Sequence, residues 1–180
     1  MRERRAFRAG LQPAFLIPVL GGSWVLELRP MSQSLARVLV HVVFSTRERR
    51  PWITDVVRSE LHAYLATVAS DAENVSVRVG GTADHVHVAL FLSRTDTIAA
   101  LVARLKVSSS KWIKAKGPEF SRFAWQKGYA VFSVGLQDRS ALVAYIDGQM
   151  RHHARRDFQG EMRAMFAQYG VAFDERFVWD

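Results

Sequence analysis

Cysteine is absent from the 180 residues. Disulfide frameworks, thiolate zinc centres and cysteine nucleophiles are excluded together, and the chain suits a reducing, cytoplasmic compartment. Acidic side chains are outnumbered: 17 Asp and Glu face 25 Lys and Arg, a formal net charge of +8 with a pI near 10.4. Such a surplus on a small body favours a polyanionic partner, most often nucleic acid. No clean apolar run is present either. Residues 9–26 carry no charge, but Pro13, Pro18 and the pair Gly21–Gly22 interrupt them and Gln12 dilutes them, which argues against a membrane span. The basic opening MRERRAFRAG resembles the start of a secretory signal, yet no small-x-small cleavage site follows.

What is present fits one domain with a buried core, with 49% hydrophobic and 23% charged residues. Met31 opens MSQSLARVLVHVVFSTRERRP, which reads as the start of a folded domain. Residues 1–30 are therefore expected to be a leader extension, disordered or loosely docked, ahead of a domain over residues 31–180.

The β-branched stretch 35–44 predicts a buried strand. Thr54 is a candidate N-cap for a helix marked by Val56, Val57, Leu61, Leu65 and Val68. Residues 75–79 alternate as a strand, Gly80–Gly81 turns, and 86–92 run back. Asp96 or Thr97 opens a helix with Ile98, Leu101, Val102, Leu105 and Trp112 on its apolar side, ended by Gly117–Pro118. A fourth strand covers 129–134, a helix capped by Asp138 runs to about His153, and a shorter one covers 158–169. This order predicts an α+β, ferredoxin-like (RRM-like) β-α-β-β-α-β antiparallel sheet with helices on one face and additional C-terminal helices.

His85 and His87 stand two apart on a strand, so both rings share one face, while Val86, Val88 and Leu90 enter the other. Two neighbouring imidazoles are half of a ligand set for a divalent metal. Histidine–hydrophobe–histidine implies one wet and one buried face; taken alone, the triplet more often marks packing. On the following helix Gln149 is one turn beyond Tyr145, with His152 and His153 after it, and Leu142, Ile146 and Met150 form the adjoining apolar stripe. Tyr145 is then a boundary tyrosine or a phenol nucleophile beside an amide able to ligate a hard cation. His41 and His62 are read as structural.

From residue 103 to 127 seven basic residues, Arg104, Lys106, Lys111, Lys114, Lys116, Arg122 and Lys127, face a single acid, Glu119. Arg47, Arg49 and Arg50 form a second cluster. A solvated helix face normally mixes signs, so phosphate contact is the better reading. Trp112, Phe120, Phe123 and Trp125 interleave with these charges as candidates for stacking on unpaired bases; some must be core, Trp112 first among them. Ser108–Ser110 could bond phosphates or bend a helix.

The stretches HVVFSTRERRPWI, DHVHVALFL, LKVSSSKWIKAK, WQKGYAVFSV and YIDGQMRHH occur in an order and spacing that resemble the single-tyrosine HUH transposases of small bacterial insertion sequences, the insertion-sequence-two-hundred type. The likeness covers essentially all of residues 31–180. It implies that His85, His87 and Gln149 bind Mg2+ or Mn2+ and that Tyr145 is the nucleophile. It also implies cleavage and rejoining of single-stranded DNA with hairpin ends through a 5′-phosphotyrosine. A homodimer is implied too, in which the tyrosine helix of one subunit serves the histidines of the other, at work on the bacterial nucleoid. Gly148, where the family often has asparagine, and Val107, in place of a frequent glycine, depart from the pattern. The rival readings are a non-catalytic single-strand or hairpin binder of the same fold and a domesticated relative that nicks without moving an element.

Overall fold

The structure, a computed structural model, describes residues 15–18, 24–27, 35–152, 157–176 and 178–179. The chain divides into two units, Met1–Leu35 and Ala36–Asp180. In the first, β1 (Phe15–Pro18) and β2 (Trp24–Glu27) pair antiparallel, Phe15 opposite Glu27. The rest of residues 1–30 lies outside the described residues.

The second unit carries β3 (Val38–Ser45), α1 (Asp55–Ala69), β4 (Val75–Gly81), β5 (His85–Leu92), α2 (Ile98–Lys114), β6 (Ala130–Val134), α3 (Arg139–Asp147), α4 (Gln149–His152) and α5 (Phe158–Tyr169). The four-stranded sheet has the order β4-β5-β3-β6, every pair antiparallel, which is the expected ferredoxin-like arrangement. Caps set the helix starts. Thr97 accepts from the Ala100 amide at 3.1 Å and Asp157 from the Gly160 amide at 2.8 Å, each contributing about 1 kcal/mol. Thr54 holds the N-cap position of α1 in extended geometry without a side-chain bond.

Alternation along β3 and β5 sends Val40, Val42, Phe44, Val86, Val88 and Leu90 to one face, against Leu61 and Leu65 of α1 and Leu101 and Leu105 of α2. Two sequence expectations change on the other face. Helices were expected on one face and water on the other, yet α3 and α5 cover the histidine side as well. Phe158, Met162, Met165 and Phe166 pack on Val43 and Phe132, and Leu142 and Ile146 pack on Ala89. The helix expected from Asp138 to His153 is broken: Gly148 ends α3, its amide bonded to the Ala144 carbonyl at 3.0 Å, and Gln149 begins α4. Met150, expected on the apolar stripe, is exposed. His153 lies outside the described residues, as does the side chain of His152.

Candidate active site

The register sets the imidazoles. His87 of β5 stands opposite Val43 of β3 and Gly80 of β4, and His85 stands opposite Ser45. Both rings are fully buried beneath α3 and α5. His85 donates its Nδ1–H to Asp84 Oδ1 at 2.7 Å, and the Thr82 hydroxyl donates to the same oxygen at 2.8 Å. A ring whose Nδ1 carries the proton presents Nε2 as a ligand, the usual arrangement for metal-binding histidine.

His41 gives His87 the same service. Its Nε2 lies 2.8 Å from His87 Nδ1, with the rings stacked at 5.0 Å. Burial, aided by His87, pushes His41 down to about 3, so it stays neutral and can accept a proton bond from His87. His41 is structural, as expected, but at the site itself.

Tyr145, half-buried on α3, places its ring edge-on to His87 at 5.7 Å and to His41 at 6.1 Å. Gly80 makes this approach possible, since a Cβ there would stand 2.6 Å from Ile146 Cγ2 and 2.9 Å from the Ile146 carbonyl oxygen. Gln149, 1% exposed, turns its Oε1 toward His85 Nε2 at 3.4 Å. Tyr145, His85, His87 and Gln149 therefore converge within one chain, whereas the resemblance drew the tyrosine from a partner.

Glu161 of α5 is the residue that the sequence reading missed. Its Oε1 accepts from Gln149 Nε2 at 2.7 Å and from the Tyr145 hydroxyl. Its Oε2 lies 3.5 Å from His85 Nε2 and 3.7 Å from His87 Nε2. Ligand atoms of His85, His87 and Glu161 all fall within 4.8 Å of one another. Bonds of about 2.1 Å to one ion put neighbouring ligands about 3.0–3.5 Å and opposite ligands about 4.2 Å apart, so a small inward shift of these side chains would close the donor set on a divalent cation. A signal was present: an acid inside the apolar stripe of Phe158, Met162, Met165 and Phe166.

The basic clusters meet at the same end of the sheet. Ser45 ends β3 beside His85, Thr46 bridges to Trp125, and the Arg47 amide bonds to the Ala124 carbonyl. Residues 47–50 are thus beside 122–127. Lys111, Lys114, Arg122 and Lys127 are exposed, Arg49 is half-exposed, and Arg47 and Arg50 are exposed around Glu48. Three other predicted cations have partners within the chain. Arg104 pairs with Asp96 at 2.5 Å, Lys116 pairs with Glu60 and lies over Trp112, and Lys106 Nζ donates to the carbonyls of Gln126 at 2.8 Å and Gly128 at 2.6 Å. Burial lowers Lys106 to about 8.

The aromatics reverse their expected order. Phe120, Phe123 and Trp125 are core, because the 118–125 segment folds back over Phe44, while Trp112 is half-buried against Tyr64. Ser109 is structural, donating to the Leu105 carbonyl at 2.6 Å and accepting from Trp125 Nε1 at 2.9 Å.

The model of the family described as Transposase IS200 like matches residues 34–149. A candidate transposase from Deinococcus radiodurans R1, 22% identical, shares the fold with a TM-score of 0.53 over 68% of this chain and 98% of its own. A REP-associated tyrosine transposase bound to a REP hairpin, 14% identical, gives a TM-score of 0.51 over 70% of this chain and 74% of its own. No curated protein matches the chain. Among the described residues no helix is long and apolar enough to cross a membrane.

Proposed function

Because the chain belongs to the IS200-like transposase family, we propose that Tyr145 cleaves and rejoins single-stranded DNA, with a divalent cation, Mg2+ or Mn2+, held by His85, His87 and Gln149. The observation that carries this reading is the meeting of a phenol, two imidazoles and an amide from separate stretches of one chain.

A phenol of reference pKa about 10 is a weak nucleophile at neutral pH, so help must come on the phosphate side. The cation, when bound, draws charge from the scissile phosphate and steadies the departing oxygen. The protein's own groups do the rest. Asp84 and His41 hold the imidazole tautomers. Glu161 and Gln149 hold the phenol side of the site. Tyr145 Oη gives up its proton and bonds to phosphorus as the P–O3′ bond breaks; the phosphate remains as a 5′-phosphotyrosine, and the departing 3′ oxygen takes up a proton to become a free 3′-OH. The phosphotyrosine keeps the ester energy, so a second 3′-OH can attack it and restore the phenol without ATP.

The substrate is single-stranded DNA with a hairpin, a reading supported by the REP hairpin named as the ligand of the REP-associated relative. Arg47, Arg49, Arg50, Arg122 and Lys127 would contact phosphates, a reading supported by the exposure of most of them and by the bond between the Arg47 amide and the Ala124 carbonyl, with Lys111 and Lys114 as further contacts. A homodimer with composite sites would rebuild the same contacts with α3 taken from a second copy.

The test is incubation with labelled hairpin DNA and Mg2+, scored for a covalent adduct. The unaltered chain should form it and Tyr145→Phe should not, while hairpin affinity stays nearly unchanged. An adduct in Tyr145→Phe rejects the nucleophile, and binding without any adduct leaves a hairpin-binding module. Mixing Tyr145→Phe with His87→Ala restores the adduct where two copies share a site.

A further inference from the structure

We propose that Glu161 is an anionic ligand of the divalent cation and that it ties the cation to the nucleophile, an inference that rests on the cation site proposed above and deepens it. Glu161 lies in the first turn of α5 and is 7% exposed among Phe158, Met162 and Met165. A carboxylate in such a place has lost most of its water, and charged groups so placed are held by partners or by metals.

Its two oxygens face different parts of the site. Oε2 lies 3.5 and 3.7 Å from the two imidazole Nε2 atoms, at or slightly beyond the spacing of neighbouring ligands around a common ion. Oε1 accepts from the phenol of Tyr145 and the amide of Gln149. Charge favours the same assignment. Two neutral imidazoles and an amide bring no negative charge to the ion, whereas Mg2+ and Mn2+ prefer oxygen donors, carboxylates above all. A carboxylate shared in this way makes the position of Tyr145 depend on the group that holds the cation. Gln149 then ligates through Oε1 while its amide nitrogen stays on Glu161.

The test is titration of the chelator-stripped full chain with Mn2+, read as the loss of the free-ion electron paramagnetic resonance signal. Glu161→Gln should bind at least about tenfold more weakly than the unaltered chain, Glu161→Asp should be intermediate, and Tyr145→Phe should bind no more weakly. Circular dichroism of each stripped variant reports folding separately. Equal affinity in a folded Glu161→Gln overturns the inference and leaves the histidine site standing. Absence of Mn2+ binding by the unaltered chain overturns both. Should the variants fail to fold, anomalous scattering from Mn2+-soaked crystals of the unaltered chain decides: a peak bonded to Glu161 Oε2 supports the inference, and a peak away from it refutes it.

Discussion

His41 on β3 reaches His87 on β5 with Nε2 and Nδ1 2.8 Å apart and the rings stacked, so one buried histidine fixes the tautomer of another. His41→Phe keeps the volume and removes the bond. Mn2+ affinity should fall about 10- to 100-fold, the usual cost of losing an outer partner of a metal ligand. The stripped protein should also lose about 1–3 kcal/mol, because His87 Nδ1 is left unsatisfied. His41→Gln can still accept at that position and should recover part of both, as measured by calorimetric titration and thermal melting.

Gly80 faces His87 across the β4–β5 ladder and lies beneath Ile146, one residue from Tyr145, the proposed nucleophile. The Ile146 carbonyl, 2.9 Å from any added Cβ, belongs to the backbone and cannot rotate away. Gly80→Ala must therefore lift α3. Overpacking of this kind should cost about 1–3 kcal/mol. Adduct formation should slow at least tenfold while Mn2+ binding by the imidazoles stays within threefold. Comparing adduct rate with metal affinity in the same preparation checks the split.

The alternation of β5 was legible because histidines and valines trade places through residues 85–88, β3 was legible as a β-branched buried strand, and the five motif blocks carried the family. Glu161 was not legible as a site residue. Its contacts with residues 85, 87, 145 and 149 are tertiary, and an acid in an apolar stripe has no distinctive spacing. His41 was recognised as structural, but its partner depends on the β3–β5 register, which one strand's pattern cannot supply. Gly148 was legible only as a departure from the family pattern, whereas it separates α3 from α4, whose first residue Gln149 has its Oε1 3.4 Å from His85 Nε2. The basic count between residues 103 and 127 did not separate exposed Lys111 and Lys114 from Lys106, whose ammonium holds the 126–128 loop.

That separation has a measurable consequence. Lys111 and Lys114 are exposed on the last turns of α2, while Arg104 is half-buried against Asp96, and this pairing holds the Asp96 carboxyl below its ordinary value. Lys111→Gln with Lys114→Gln should lower hairpin affinity and reduce the slope of log K against log salt by about 0.7 per lost contact to single-stranded phosphate. Arg104→Gln should leave that slope unchanged and lower the melting temperature. An unchanged slope in the double variant means that neither lysine contacts phosphate.

His62 on α1 supplies a pH dependence of stability. Its Nε2 is buried without a hydrogen-bond partner, and burial, reinforced by the Arg58 charge, lowers it from 6.5 to about 4. The unfolded chain thus binds more protons than the folded one between these values, and stability rises with pH across that window. The contribution is complete above about 6.5 and is lost as pH falls toward 4, by up to about 3 kcal/mol. Melting of the chelator-treated protein should fall by several degrees between pH 7 and pH 4.5. His62→Gln removes the titrating group, so its melting profile should be flatter over the same range. Parallel profiles for the two proteins would show that His62 protonates equally in the folded and unfolded chain.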